Sequence, residues 1–369
     1  MSSEIVKTKI LGYKYTITEY GCVYTNIKIE PVVINGKIIT NIPLRNNMDF
    51  NKLRPKVNDV LEIKVGSFIP EFINTNTGIR DPNHTPIYIP DKCPICSSAL
   101  SKNLTGTVMR CINPQCNRVM LRQVYNYFKY CCFDQNLQFY HIYSLYTRKI
   151  IKNLASVYKI MVNDYVGIGF TFEEAKVIFN NIQEHKEIPL QNLYYSLEPE
   201  IATNNAIRLA SLKNDTDKWY TQINKIESNM FIDNDKNNIS LDNAKVLLNK
   251  DLRKNILIYK ELDTHINVQP VTSRLMLSNK RYVIDSAGWF KKDFLKILIR
   301  LNGGEVVNGV SKIPWSKVNY IISDTPYLRS EYMPGKNFGI PIVSIEEVLN
   351  ELGINIKIKN NESEEKYVK

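Results

Sequence analysis

The chain has 369 residues, 44% of them hydrophobic, and its 48 Lys and Arg against 37 Asp and Glu leave a net charge of +11. That length allows roughly two to four domains, and the charge favours a polyanionic partner, nucleic acid before an acidic membrane surface. No apolar run approaches the about 18 residues of a membrane-spanning helix, and residues 1–7 lack the apolar core of a signal peptide.

Residues 1–90 read as β. Short runs at 13–18 and 27–29 alternate with polar residues, and 32–34 lead into Asn35-Gly36, a two-residue hairpin signal that 38–39 continue beyond. Residues 60–65 form another strand, closed by Gly66. Short strands at regular spacing predict a small barrel. Pro82, Pro86 and Pro90 then make an extended linker.

Residues 91–120 contain Cys93-Pro94-Ile95-Cys96 and Cys111-Ile112-Asn113-Pro114-Gln115-Cys116, a C-x2-C, fourteen residues, then a C-x4-C. Each knuckle presents two thiolates from one tight turn, and Pro94 and Pro114 suit such turns. Two facing knuckles make a tetrahedral site, so Cys93, Cys96, Cys111 and Cys116 are expected to hold a structural zinc. Four thiolates leave no open position for water, which argues against a catalytic zinc. The alternative is a set of buried apolar cysteines. Cysteine used this way points to a reducing compartment: cytoplasm, nucleoid or viral replication site. Cys22, Cys131 and Cys132 are expected to be inert thiols. A basic, aromatic helix follows. Its Val119, Arg122, Val124, Tyr127 and Phe128 spacing fits a core-facing stripe opposite a solvated basic face, while Arg118 and Arg122 are candidate phosphate contacts.

Residues 121–275 read as helical, with helices expected at 148–161 and 172–182. Between them lies Val166-Gly167-Ile168-Gly169-Phe170, an apolar-glycine turn with the form of a helix-hairpin-helix element. The turn is either an ordinary interhelical connection or a phosphate site built from the Gly167 and Gly169 backbone. Thr171, with Glu174 three residues on, predicts a capping box. Residues 213–249, rich in Asn and Asp, read as poorly defined helices and loops.

Residues 278–353 form a separate α/β unit. Strands are expected at 281–285, 305–307, 318–322 and 340–343, a helix at 291–301 stopped by Asn302-Gly303-Gly304, and a last helix at 345–352 capped by Ser344 with Glu347. Strands alternating with helices imply a parallel sheet. The tail, 354–369, is charged, and its end is expected to be disordered.

This order resembles the C-terminal half of bacterial-type NAD-dependent DNA ligases. Ile29-Glu30-Pro31-Val32, Gly36, Leu44-Arg45-Asn46, Asn58-Asp59-Val60 and Gly66-Ser67-Phe68-Ile69-Pro70 are similar to that family's OB-fold, where the forms are roughly L-E-P-V, G, L-H-N, G-D-x-V and G-D-V-I-P. The cysteine block resembles its zinc finger. Gly167-Ile168-Gly169 and Lys186-Glu187-Ile188-Pro189-Leu190 resemble a hairpin and the segment after it. Asn302-Gly303-Gly304-Glu305-Val306, Val310-Ser311-Lys312 and Phe338-Gly339-Ile340-Pro341-Ile342 are similar to its BRCT domain. The resemblance implies a multidomain α+β chain: OB-type β-barrel (1–90), four-cysteine zinc finger (91–120), helix-hairpin-helix region (121–275) and α/β BRCT domain (278–353). It adds Arg45 and Lys312 as candidate DNA contacts.

The family's chemistry begins at a lysine in K-x-D-G that takes up AMP from NAD. These 369 residues contain no K-x-D-G, so the chain is not expected to self-adenylate, and NAD would enter only through a partner. The family's G-R-T-G arginine, which engages nicked DNA, is replaced here by Glu19 in Thr18-Glu19-Tyr20-Gly21. A carboxylate beside a phosphate costs affinity, whereas Arg45, in place of the usual histidine, restores a cation. The first hairpin also lacks its glycines, with residues 141–146 in their place.

Three functions are compatible with this. The favoured one is a non-catalytic subunit of a split ligase, clamping nicked or double-stranded DNA for a separate chain that carries the adenylated lysine. The second is a ligase-derived DNA-binding scaffold in repair or replication. The third is an interaction protein that no longer binds DNA.

Overall fold

Alternating apolar and polar residues at the start of the chain form strands longer than expected. Strand β1 (Glu4–Ile17) pairs antiparallel with β4 (Val60–Val65) through its first half, Lys9 opposite Val60. Its second half pairs with β2 (Cys22–Ile34), and the register shifts between Ile10 and Gly12, where the strand passes from one neighbour to the other. These features belong to a computed structural model that describes residues 4–18, 21–34, 36–44, 50–51, 54–65, 71–75, 84–102, 107–113, 115–198, 203–211, 218–219, 259–271, 275–288, 290–307, 313–325 and 328–354. They divide into two units, Met1–Arg122 and Gln123–Lys369.

In the first unit β2 turns directly into β3 (Lys37–Leu44), with Ile34 opposite Lys37 and Gly36 at φ +74°, the two-residue hairpin its sequence demands. β4 pairs with β5 (Glu71–Thr75), and β6 (Ser101–Lys102) with β7 (Met109–Arg110) extends the sheet from the start of β2. Among the described residues β3 and β5 are not paired with each other, so the expected closure of a barrel is not among them. Ile10, Ile27, Ile29, Leu61 and Ile63 fill the core. Asn58 takes φ +75°, where the ligase pattern has glycine, because asparagine tolerates the left-handed region. The buried Asp59 beside it accepts a hydrogen bond from the Lys56 N–H at 2.9 Å.

Helix α1 (Asn117–Tyr130) crosses the boundary between the units. Its Val119, Val124, Tyr127 and Phe128 are all fully buried, the core-facing stripe expected of them. In the second unit, α2 (Phe139–Thr147) ends at Arg148, and Lys149 takes φ +63°. The helix expected at 148–161 is therefore absent. The Asn153 side chain instead accepts from the Ser156 N–H and caps a 3-10 turn, Leu154–Lys159. Asparagine competes with the helix by bonding nearby backbone, and it does so here. α3 (Val162–Val166), α4 (Phe172–Glu184), α5 (Leu190–Leu197) and α6 (Thr203–Ser211) follow, with a short parallel pair, β8 (Glu187–Pro189) and β9 (Asn267–Gln269). Most of the 213–249 stretch lies outside the described residues.

The end of the chain matches its expected alternation. β10 (Arg281–Ile284), β11 (Glu305–Val306), β12 (Tyr320–Ile322) and β13 (Ile342–Val343) form an all-parallel sheet in the order β11-β10-β12-β13. α7 (Lys292–Leu301) buries Phe294, Leu295, Leu298, Ile299 and Leu301. Burying each contributes roughly 1.5–3 kcal/mol over leaving it exposed, which fixes the helix's inward face. Gly303, at φ +82°, and Gly304 turn the chain into β11; a β-carbon on Gly304 would stand 2.6 Å from Ile299. α8 (Met333–Asn337) and α9 (Ile345–Glu351) complete the unit. α7 also meets the helical segment: Phe294 packs edge-on to Tyr130 at 5.5 Å, and Lys129 Nζ stands 5.8 Å from the Phe294 ring centre.

Candidate functional site

The two knuckles are built by local hydrogen bonds. In the first, the Cys93 carbonyl accepts from the Ser97 N–H at 2.9 Å, Ser97 takes φ +59°, and the Ile95 N–H points at the Cys93 sulfur at 3.4 Å. In the second, the Asn113 side chain accepts from the Gln115 N–H at 3.0 Å, and its carbonyl accepts from the Cys116 N–H. Asn113 also donates to Ser98 Oγ at 2.8 Å, which ties the two knuckles together. The Cys111 N–H bonds the Gly21 carbonyl at 3.2 Å and so seats the site on the β1–β2 turn.

The four sulfurs lie within 4.8 Å of one another. Cys93 and Cys116 are 4.0 Å apart, and Cys96 and Cys111 3.6 Å. Sulfurs about 2.3 Å from a tetrahedral zinc would stand about 3.8 Å apart, so the set fits that ion. None of the seven cysteines is in a disulfide. Cys116 immediately precedes α1, and its thiol is pushed down to about 5 by the Cys111 thiol and, more weakly, by the Val119 and Arg118 N–H groups. Cys111 is pushed up, first by donating to Cys116 and then by burial. Burial raises Cys93. Burial also works to raise Cys96, but bonds from Ser98 and Asn113 outweigh it and the net shift is downward. Such a cluster can hold a metal ion with nothing left over for catalysis.

The candidate DNA contacts fall in different places. Arg118 donates through Nε to the Thr18 carbonyl at 3.2 Å and through Nη2 to the Ile17 carbonyl at 3.4 Å, tying α1 to the end of β1. Arg122 is 2% exposed, with Nη1 packed against Gly21, 3.3 Å from where a β-carbon would stand. Both guanidinium groups therefore face the β1–β2 turn. The Gly167 N–H bonds the Asn163 carbonyl at 2.9 Å, and the Gly169 N–H bonds the Val166 carbonyl at 3.1 Å. The turn's own backbone thus occupies both donors that the sequence offers to a phosphate. Arg45, Lys312 and Glu19 lie outside the described residues.

The capping box at α4 forms as expected: the Glu174 N–H donates to Thr171 Oγ1 at 3.3 Å, and the Thr171 N–H to Glu174 Oε2 at 3.0 Å. Sequence reading misses Arg148, whose guanidinium lies over Gly167. Its only sequence signal is the basic cluster Arg148-Lys149 with Lys152. Sequence reading also misses Arg329, which donates from Nε to the buried Asp285 Oδ1 at 2.7 Å and holds the end of β10. Among the described residues no helix is long and apolar enough to cross a membrane.

Comparison with known proteins agrees with this arrangement. Residues 272–352 match the BRCA1 C Terminus (BRCT) domain family. The DNA ligase of Mesoplasma florum is 25% identical over 375 residues, covering 98% of this chain and 52% of that protein. The DNA ligase of Campylobacter jejuni strain RM1221 is 24% identical over 318 residues, 85% of this chain and 48% of the relative. That of Sulfurihydrogenibium azorense is 25% identical over 353 residues, 94% and 49%. The chain spans about half the length of the curated relatives it matches. It is a DNA ligase-related protein of mixed α+β structure, with a C-terminal BRCT domain and a four-cysteine cluster able to bind a metal ion.

Proposed function

We propose that this chain is the non-catalytic DNA-binding subunit of a split NAD-dependent DNA ligase, clamping nicked duplex for a partner that carries the adenylated lysine. Residues 1–90 act as an OB-fold on the duplex, 91–120 as a zinc finger, 121–275 as a helix-hairpin-helix region and 278–353 as the BRCT domain. Zinc bound by Cys93, Cys96, Cys111 and Cys116 fixes the knuckles against the β1–β2 turn. Arg45 and Lys312 contact phosphates, whereas Arg118 and Arg122 hold the turn. NAD is used only through the partner.

One observation carries this reading. Sheet, four-cysteine cluster, capped glycine turn and BRCT domain follow one another in a chain that proteins named DNA ligase match over 85–98% of its length. The test is reconstitution. The chain is mixed with an adenylation domain bearing the K-x-D-G lysine, NAD and a nicked duplex. Sealing is expected only when both proteins are present. A sealing rate unchanged by adding the chain, with DNA binding retained, would instead support a second reading, a ligase-derived DNA-binding scaffold in repair or replication. Glu19, standing where the ligase pattern has its nick-engaging arginine, and the first hairpin's lost glycines favour that second reading.

A further inference from the structure

Helix α2 carries exposed rings, and the segment after it carries exposed cations. Tyr140 and Tyr143, one helical turn apart, are 63% and 49% exposed. The Tyr140 ring lies 3.9 Å from that of His141, which lies 4.5 Å from Phe170, so the aromatic face of α2 runs to the glycine turn. Arg148 makes a second tie. Its Nη1 stands 2.8 Å from the point where a β-carbon on Gly167 would be, an approach that only glycine leaves open. Among the described residues neither Arg148 nor the exposed Lys149, Lys152 and Lys159 makes an ion pair. Three carboxylates of neighbouring segments are hydrogen-bonded elsewhere: Asp164 accepts from the Met161 N–H at 2.8 Å, Glu174 from the Thr171 N–H at 3.0 Å and Glu261 from the Asn153 side-chain amide at 2.9 Å. Glu173, in the first turn of α4, remains exposed.

We propose that α2 and the Arg148 turn form a contact surface for an unpaired DNA strand, such as the frayed end of a break. Cations that meet phosphates and rings on which bases stack are the two elements of single-strand recognition. A duplex satisfies only the cations, because its bases are already stacked on one another. A neutral apolar partner would bury the rings but strand the cations without counter-charge. The surface rests on the DNA-binding reading above and adds to it a contact for a strand end lifted from the nicked duplex. It also gives the glycine turn a role that its occupied N–H groups do not supply.

The test measures fluorescence-anisotropy affinities of the full chain for a labelled single-stranded oligonucleotide and for an intact duplex. Tyr140→Ser/Tyr143→Ser is expected to weaken single-strand binding by about tenfold or more while changing duplex binding by less than about twofold. Tyr140→Phe/Tyr143→Phe, which keeps the rings, should restore the single-strand affinity. Arg148→Ala should weaken both. Both tyrosines are exposed, so an unchanged melting temperature confirms that the variants fold. If the serine variant binds single strands like the parent, or the parent binds duplex and not single strands, the surface is overturned and the DNA-binding reading stands. If the parent binds neither, both fall.

Discussion

The sulfurs of Cys96 and Cys111 stand 3.6 Å apart although fifteen positions separate them in the chain. Thiols converge this way for a disulfide or a metal, and no disulfide is present. The purified chain should contain one zinc ion. Because structural zinc sites bind with roughly 10–16 kcal/mol, Cys93→Ser or Cys116→Ser should lose the metal and lower the melting temperature sharply, as should a strong chelator. Metal analysis with thermal melting checks this. Full zinc content and an unchanged melt in those variants would remove the metal reading.

Two glycines of one turn should respond differently to alanine. Gly169 takes φ +112° with open space around it, so Gly169→Ala strains the backbone alone, at a cost of about 1–3 kcal/mol. Gly167 has an ordinary helical φ of −60°, and a β-carbon there meets mainly the movable end of Arg148. Gly167→Ala should therefore cost little stability and displace the guanidinium. Denaturant melts of both variants decide this; equal losses would contradict it.

Thr171 and Ser344 each close a reciprocal capping box, with Glu174 and Glu347. Replacing either by alanine should cost about 0.5–2 kcal/mol, as N-cap losses do. Chemical denaturation reads the loss, and values near zero would mean that neither cap matters to its helix.

Asp134 is buried at the end of α1, and burial raises its pKa although its Oδ1 accepts from the Asn136 and Leu137 N–H groups and Lys291 opposes the shift. Among the described residues its Oδ2 has no hydrogen-bond partner. A carboxyl with a raised folded pKa binds its proton more tightly folded than unfolded. Its ionisation thus costs nothing below the unfolded value near 3.8 and reduces stability as pH rises through the folded value. Asp134→Asn keeps the Oδ1 bonds and removes the charge. It should raise the melting temperature at neutral pH, with the gain disappearing below about pH 4. A destabilisation of the same size at every pH would contradict this.

The features that sequence alone reveals are local. The hairpin turn at Gly36, the Thr171 and Ser344 caps, the convergence of the C-x2-C and C-x4-C cysteines and the alternation of strands and helices after residue 278 each depend on a few neighbouring residues, and among the described residues they take the expected form. The parts that escape it depend on distant chain. Nothing in the 148–161 pattern announces that Lys149 takes a positive φ and Asn153 caps a separate turn. The basic face of α1 does not reveal that Arg118 and Arg122 answer the carbonyls and glycine of a turn about 100 positions away. The meeting of Arg148 and Gly167 is likewise a product of tertiary packing.

The most direct measurement is the affinity of the full chain for a nicked duplex and for its intact counterpart at increasing salt. A ligase-derived DNA clamp predicts tighter binding to the nicked duplex and a logarithm of affinity that falls linearly and steeply with the logarithm of salt concentration. Absence of binding at low salt, or an affinity indifferent to salt, would contradict it.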